Sequence, residues 1–384
     1  MMSRKKGRKL RVGVICGGRS GEHAVSLLSA QSVLNALDRD KYAVIPIGID
    51  KDGRWITGDV LAALGSGDPH AQTATLLPDP HSAALLQLEL AEARPAALST
   101  VAELDVVIPI LHGTYGEDGT VQGLLELAGL PYVGAGVVGS AVGMDKAIFK
   151  HVMAANGLPV LPWRLVTGQA WAQRPSALLD ELEAALPYPL FTKPANLGSS
   201  VGISKCHNRD ELAAGLAAAA RYDRRIVVEQ GIHQARELEV AVLGNEEPRA
   251  SIVGEIRPRR AFYDYVAKYV AEPGSEEESE LLIPAPISPE MGQQVRALAL
   301  RAYMAIDCAG MGRVDLLLDT ATNRLYLNEI NTIPGFTRIS MYPKLWEASG
   351  LPYAELLDQL IDLALERFAV KQNLQTTFNV AGET

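Results

Sequence analysis

Three short runs of β-branched and apolar residues, the first two separated by a helical pattern, fix most of what the amino-terminal third can become. "LRVGVIC" (10–16), "YAVIPIGI" (42–49) and "DVVIPIL" (105–111) are apolar at nearly every position, as strands buried on both faces are. Between the first two, "AVSLLSAQSVLNAL" repeats its apolar residues at helical spacing. Strand, helix, strand predicts a parallel sheet in an α/β domain. Two polar loops interrupt this pattern at strand ends, "GGRSGEH" (17–23) and "HGTYGEDG" (112–119). Ligands of open parallel sheets collect beyond the carboxyl ends of the strands, so these loops are the first candidates for a site.

At 384 residues the chain exceeds one ordinary core, and two or three domains are expected. After the α/β domain (1–144), a small α+β unit is expected over 145–232. It comprises the helix "MDKAIFKHVMAANG", the strand "YPLFTKPA", a Gly/Ser turn, the strand "SVGISKC", an Ala-rich helix and the strand "RIVVEQGI". The remainder (233–384) holds longer strands, "RELEVAVLG" and "PRASIVGEI", a helix near 288–306, a hairpin and a final helix after Pro352.

Composition narrows the function classes. Apolar residues make up 48% and charged residues 21%, as in globular proteins, and a net charge of −9 argues against a general nucleic-acid binder. The basic stretch "SRKKGRKLR" reads as a solvated terminus, not a signal peptide, because the apolar run after it is short and interrupted by Arg11. No segment approaches the ~18 apolar residues of a membrane span. Cys16, Cys206 and Cys308 are widely spaced and form no C-x-x-C pair, which fits small core hydrophobes in a reducing, cytoplasmic setting.

The stretch "GRVDLLLDTATNRLYLNEINTIPG" (312–335) carries the chemistry. Its two apolar runs read as an antiparallel pair joined by "TATN". Alternation puts Arg313 and Asp315 on one face of the first strand, and Glu329 and Asn331 on one face of the second. A turn centred near 321 or 322 sets Asp315 opposite Glu329 or one step diagonal to it. Neighbouring buried carboxylates repel and lose hydration unless a cation compensates. Magnesium suits such an all-oxygen cluster, since it takes few protein oxygens and completes its shell with water and nucleotide phosphates. The competing reading is a solvated strand end whose acids pair with Arg313.

A nucleotide needs a cradle. No Gly-Lys pair exists, so the Walker pattern is absent. Gly134, Gly136 and Gly139 spell G-x-G-x-x-G after a very short apolar run, with no acid at the right distance for a ribose, and are read as a loop. "FTKPANLGSSVGIS" is the better candidate: Lys193 ends a strand, and Gly198, Ser199 and Ser200 form a turn that can close over phosphates. Taken alone it equally suits an ordinary β-turn, and Lys146 in "MDKAIFK" a surface helix lysine.

Together, "GGRSGEHAVS", "LHGTYGEDGTVQG", "GMDK", "KPANLGSSVGIS", "VVEQ", "FYDYVAKY", "GMGRVD" and "LNEINTIPGFTRISMYPKLW" resemble the ATP-grasp superfamily and, within it, the D-alanine–D-alanine ligases, over nearly the whole chain and in the same order. The resemblance implies an amino-terminal preATP-grasp domain followed by a two-part ATP-grasp fold. It also implies ATP-driven ligation of two D-alanines through an acyl phosphate, for peptidoglycan precursors, in a cytoplasmic homodimer that binds neither nucleic acid nor membrane.

By the same resemblance Asp315, Glu329 and Asn331 hold two magnesium ions, with manganese as a substitute, and Lys146, Lys193, Ser200 and Lys268 meet the phosphates of ATP. Glu229 matches the adenine contact and Glu237 the ribose contact. Arg313 and Gly335 face the reacting carboxylate. Glu22 binds the first substrate's ammonium with His112 nearby, and Ser199 and Tyr269 link to Glu22. Ser340 and Met341, with Lys268, line the second substrate's place. His112 equally suits a turn histidine, Tyr269 a core aromatic, and Glu22 an acid placed by the helix dipole. The sequence departs from related ones at Ala24, where an acid often stands beside Glu22, and in "GIHQAR", about one residue longer than expected. The alternatives are a ligase making D-alanyl-D-lactate or another small dipeptide, and a non-catalytic nucleotide sensor.

Overall fold

The structure, a computed structural model, describes residues 8–91, 94–257 and 280–375. Lys268 and Tyr269 lie outside the described residues.

The parallel sheet expected at the amino terminus is present as three strands. Leu10–Gly17 (β1) pairs in parallel with Tyr42–Ile49 (β2) on one side and Val106–Ile110 (β7) on the other. Helix His23–Ala36 (α1) makes the crossover from β1 to β2. Val12, Val14 and Cys16 of β1 enter one core while Ile15 enters another, so the strand is covered on both faces, as its unbroken apolar run requires. The sheet is larger than the sequence indicated. Trp55–Thr57 (β3), Gln72–Leu76 (β4), Ala84–Ala91 (β5) and Arg94–Glu103 (β6) extend it antiparallel beyond β2, with the short helix Val60–Ser66 (α2) after β3. In β4 only alternate residues are buried, which weakens the apolar signal.

Asp105 fastens β7 to β1. Its carboxylate accepts from Arg11 N at 2.8 Å, Arg11 Nε at 3.1 Å, Arg11 Nη2 at 2.9 Å and Arg8 Nη2 at 2.7 Å. Burial alone would raise the carboxyl, but these donors outweigh it and hold it below its usual range. A carboxyl with a depressed folded pKa contributes stability above its unfolded value, and that contribution is lost as pH falls through the folded one. Asp105→Asn is therefore expected to cost about 1 kcal/mol at pH 7, discounted for solvent screening. The difference from the parent chain should vanish in urea titrations carried well below pH ~4.

Beyond β7, Thr120–Leu127 (α3) and Val137–Met144 (α4) lead into Lys146–Ala155 (α5). The reading of Gly134, Gly136 and Gly139 as a loop holds for Gly134 and Gly136 and is corrected at Gly139. Gly136 is the N-cap of α4, and Gly139 lies inside the helix, where a Cβ would stand 2.7 Å from Asp307 O. That glycine allows a close approach of the helix to another backbone segment.

The second sheet is built from Trp163–Thr167 (β8), Leu190–Pro194 (β9), Ser204–Cys206 (β10) and Arg225–Gln230 (β11), antiparallel in the order β10-β9-β11-β8. Gly168–Gln173 (α6), Pro175–Ala185 (α7) and Arg209–Ala219 (α8) accompany it, and α7 and α8 pack Leu178, Leu182, Leu212 and Leu216 against Leu190, Ile226 and Val228. The strand expected over "SVGISKC" forms only at its end. Ser199 and Ser200 take left-handed backbone at φ 51° and 59°, and the strand starts at Ser204. Two consecutive non-glycine residues in that region are strained unless their surroundings hold them there.

The third sheet consists of Ala235–Gly244 (β12), Arg249–Arg257 (β13), Glu280–Leu282 (β14), Gly310–Asp319 (β15) and Arg324–Asn331 (β16), in the order β14-β13-β12-β15-β16. Helix Pro289–Ala305, capped by Ser288, covers one face. Helices Met341–Ala348 and Tyr353–Gln372 cover the other and share a core with β1 and β7 through Trp346, Leu357 and Leu360. Tyr42 Oη donates to Asp358 at 2.6 Å, and Arg367 Nη2 donates to Tyr132 O at 3.1 Å. The last helix thereby fixes the third sheet against the first.

Candidate functional site

Residues 320–323 connect β15 to β16, and the register sets Asp315 directly opposite Glu329 and Arg313 opposite Asn331. One step further Leu316 faces Leu327, so Asn328 is an extra residue on β16. This β-bulge lets neighbouring residues Asn328 and Glu329 both line the same cavity, which a regular two-residue alternation forbids. On the other side of β15, Glu239 of β12 faces Asp315, so three carboxylates lie in a row across three strands.

The arginine stands among them. Arg313 grips Asp315 as a fork, Nε to Oδ1 at 2.7 Å and Nη2 to Oδ2 at 2.7 Å, and its Nε also lies 3.0 Å from Glu239 Oε2. Asn331 Nδ2 donates to Asp315 Oδ2 at 3.0 Å. The acids do pair with Arg313, yet Asp315 and Arg313 are only 14% and 17% exposed, so this is no solvated strand end. Two carboxylates and an amide on facing strands carry the oxygen chemistry that a magnesium-sized cation takes, while in this arrangement Asp315 turns both oxygens to Arg313 and Asn331 turns its Nδ2 to Asp315.

Two cavities meet at this hairpin. One, of about 330 Å³, is lined by Lys193, Ser200, Glu229, Glu237 and Asp315 among others. The second, of about 240 Å³, takes in Glu22, His112, Asn331, Gly335, Ser340 and Met341. Lys146, Gly198, Ser199, Glu239, Arg313 and Glu329 belong to both and form the wall between them. Apart from Lys268 and Tyr269, every residue that the resemblance assigns to the site lines one cavity or both. Gly134, Gly136 and Gly139 line neither.

In the first cavity, Asp145 caps α5 by accepting from Ala147 N at 3.1 Å and Ile148 N at 2.9 Å, which sets where the helix begins. Lys146 then reaches inward: Nζ donates to Leu197 O at 2.8 Å and lies 3.6 Å from Glu329 Oε2. Lys193 Nζ donates to Glu229 Oε2 at 2.6 Å and to Asn328 Oδ1 at 3.4 Å. Lys150 donates to the other oxygen of Glu229. Burial alone would raise the Glu229 carboxyl, but Lys150 and Lys193 together hold it below the usual range. Lys193, which burial would lower, is held up chiefly by Glu229.

In the second cavity, Glu22 is the N-cap of α1 but makes no side-chain cap bond. Its carboxylate turns instead to the Gly/Ser turn, where Ser199 Oγ donates to Oε1. Oε2 nestles against two glycines, since a Cβ at Gly113 or at Gly198 would come within 2.6 Å of it. Glu22 therefore needs glycine in both loops. His112 Nδ1 lies 3.0 Å from Ile333 O, which can only accept, so the ring proton sits on Nδ1 and Nε2 accepts from Ser29 Oγ at 3.1 Å. Burial holds this imidazole below its ordinary pKa, with Glu22 opposing, and keeps it neutral. Ser340 is the N-cap residue of the helix Met341–Ala348 without a side-chain cap bond, and its Oγ accepts from Thr337 N at 3.1 Å.

Three residues escaped the sequence reading. Glu117 accepts from Gly113 N at 2.9 Å and Ile333 N at 3.0 Å, tying the loop after β7 to the segment after β16. Burial and then Glu22 push its carboxyl up to about 8, against those two donors. Glu239 stands two residues after Glu237, the same alternation that exposed the hairpin, and would have been found by it. Lys150 follows Lys146 by four, on one face of α5.

With this geometry in place, comparison with known proteins identifies the class. Residues 11–135 match the family model "D-ala D-ala ligase N-terminus" and residues 152–362 match "D-ala D-ala ligase C-terminus". The chain belongs to the D-alanine–D-alanine ligase family. A D-alanine–D-alanine ligase of Heliobacterium modesticaldum is 51% identical over 96% of this chain and 98% of its own. Among solved structures, the D-alanine–D-alanine ligase from Coxiella burnetii superposes with a TM-score of 0.75 at 38% identity, covering 95% of this chain and 96% of its own. The VanG D-Ala:D-Ser ligase from Enterococcus faecalis gives 0.79 at 34% identity, over 93% of this chain and 100% of its own.

Proposed function

We infer that this chain joins two D-alanines at the expense of ATP. The observation that carries the reading is the wall shared by the two cavities, because a nucleotide in one and amino acids in the other would meet at Lys146, Arg313 and Glu329. The amino acid's carboxylate oxygen attacks the γ-phosphorus of ATP, ADP leaves, and an acyl phosphate forms. The uncharged amine of the second D-alanine then attacks the carbonyl carbon. The tetrahedral adduct expels inorganic phosphate as its C–O bond breaks, and the nitrogen releases a proton.

Each side chain has a place in this scheme. Glu22, held by Ser199, receives the first ammonium. Arg313 supplies N–H donors where oxygen charge grows, fixed in advance by Asp315 and Glu239, with the backbone N–H of Gly335 completing the oxyanion site. Lys146 and Lys193, with Ser200 and Lys268, neutralise the phosphates, while Glu229 and Glu237 receive adenine and ribose. Ser340 and Met341 border the second substrate, while Lys268 and Tyr269, outside the described residues, are assigned to that substrate and to Glu22 by the resemblance alone. Neutral His112 orients the segment from Ile333 to Phe336. Asp315, Glu329 and Asn331 would hold two magnesium ions, which supply charge neutralisation at the transferring phosphoryl group. The reading extends to a cytoplasmic homodimer whose chain divides at 1–144, 145–232 and 233–384.

Purified enzyme with magnesium, ATP and a panel of D-alanine, D-serine and D-lactate tests the reading by ADP release and product mass. D-alanine alone should drive turnover to the dipeptide. Preferential consumption of D-lactate at neutral pH, or ADP release indifferent to D-alanine, would sink it.

A further inference from the structure

Lys150 brings a charge to the nucleotide cavity that the scheme above does not use. It shares a face of α5 with Lys146, yet the two side chains end in different places. Lys146 reaches the wall between the cavities. Lys150 runs inward, is 1% exposed, and lines neither cavity. A residue so placed stands behind Glu229 and not in the cavity wall. Its Nζ pairs with Oε1 of Glu229, while Lys193 Nζ takes Oε2 at 2.6 Å. Glu229 thus has Lys150 on the protein side, where burial holds the ammonium below its ordinary pKa and Glu229 opposes that, and Lys193 on the cavity side.

The two cations differ in what binding demands of them. On the reading above, Lys193 is needed at the phosphates, and an ammonium drawn to them gives up much of its contact with Glu229. A fully buried carboxylate left without a cation is strongly disfavoured, so it would either retain Lys193 or take up a proton. A protonated Glu229 would no longer be an acceptor on both oxygens, and discrimination for a purine bearing an exocyclic amine would weaken. Lys150 is not drawn away, because it stands behind Glu229 and lines neither cavity.

We propose that Lys150 is a positioning residue of the nucleotide site: it keeps Glu229 ionised and aimed at the adenine amine, which frees Lys193 for the phosphates. The proposal rests on the nucleotide reading of the first cavity and adds a determinant of base selectivity that acts from behind the site.

A double-mutant cycle on the full chain tests it, with Lys150→Met and Glu229→Gln made singly and together. Calorimetric binding of magnesium–ATP and magnesium–ITP, without amino acid, is the first readout; the two nucleotides differ at the 6-amino group. Lys150→Met should weaken ATP at least tenfold, reduce the preference for ATP over ITP, and raise KM for ATP while leaving KM for D-alanine within twofold. In the Glu229→Gln background the same change should alter ATP affinity by less than twofold, because the charge it serves is gone. An equal loss in both backgrounds overturns the proposal. Should Lys150→Met fail to fold, recovery of folding in the double variant supports it, and failure in both assigns Lys150 to the core and overturns it. A parent chain that binds ATP but leaves D-alanine unreacted overturns the ligase reading and not this one. A parent chain that binds no ATP overturns both.

Discussion

Replacing Arg313 by lysine should lower kcat for D-alanine-dependent ADP release by about 100- to 1000-fold, equivalent to about 2.7–4 kcal/mol of lost transition-state stabilisation. The guanidinium is held by the Asp315 fork on its own strand β15 and by Glu239 at 3.0 Å on the neighbouring strand β12. A lysine keeps the charge but presents a single ammonium, which cannot grip Asp315 through two parallel bonds and still face a substrate oxygen. Because Asp315 and Glu239 are both largely buried, the variant should also lose stability, visible as a lower Tm. KM for ATP should move much less than kcat, since the nucleotide cavity keeps its lysines. A variant that retains a tenth of the parent kcat would remove Arg313 from the chemistry, whatever happened to its Tm.

The hairpin was legible because its polar residues break a buried apolar run at a spacing of two, a pattern with few bland explanations. Its register followed from the centre of the turn. The bulge at Asn328 did not, since an extra residue leaves period-two alternation looking like a small irregularity, and it is this residue that joins Glu329 in lining the first cavity. Lys150 was illegible for another reason: alone, a lysine one turn from another reads as a solvated face, and its partner Glu229 lies 79 residues further on. Glu117 sat in a loop already marked as a candidate, but its two backbone donors come from segments 113 and 333, which only the tertiary fold unites.

The extension of the first sheet was missed on similar grounds. Its strands lack the unbroken apolar run that revealed β1, β2 and β7; β4, for one, buries only alternate residues. The Gly/Ser turn shows the converse case. Its glycine was read as giving flexibility to a lid, while the structure gives Gly198 a steric role as well: it admits the carboxylate of Glu22. The strained backbone falls on Ser199 and Ser200, and Ser199 is the residue that bonds Glu22. Strain is tolerated at a residue whose side chain links two loops of one site.

Glu329→Gln should abolish turnover, to below about a thousandth of the parent rate, by weakening the hold on magnesium and the phosphates it accompanies. The substitution keeps shape and removes one negative charge from a cluster whose acids are otherwise matched to Arg313 and Lys146. Glu329 is 27% exposed and its Oε2 stands 3.6 Å from Lys146 Nζ, so the fold should tolerate the change. Three measurements separate the meanings of a loss. Tm should stay close to the parent, which excludes unfolding. Residual turnover should rise with magnesium well above the concentration that saturates the parent, which points to the cation. Lys146, released from one carboxylate, should still hold nucleotide, so ATP affinity at high magnesium should fall less than kcat does. A nucleotide sensor would show only a shift in ATP affinity, because it has no turnover to lose. A Glu329→Gln enzyme that ligates D-alanine at more than a tenth of the parent rate, at the same magnesium, would mean that the carboxylate facing Asp315 holds no ion on which the reaction depends.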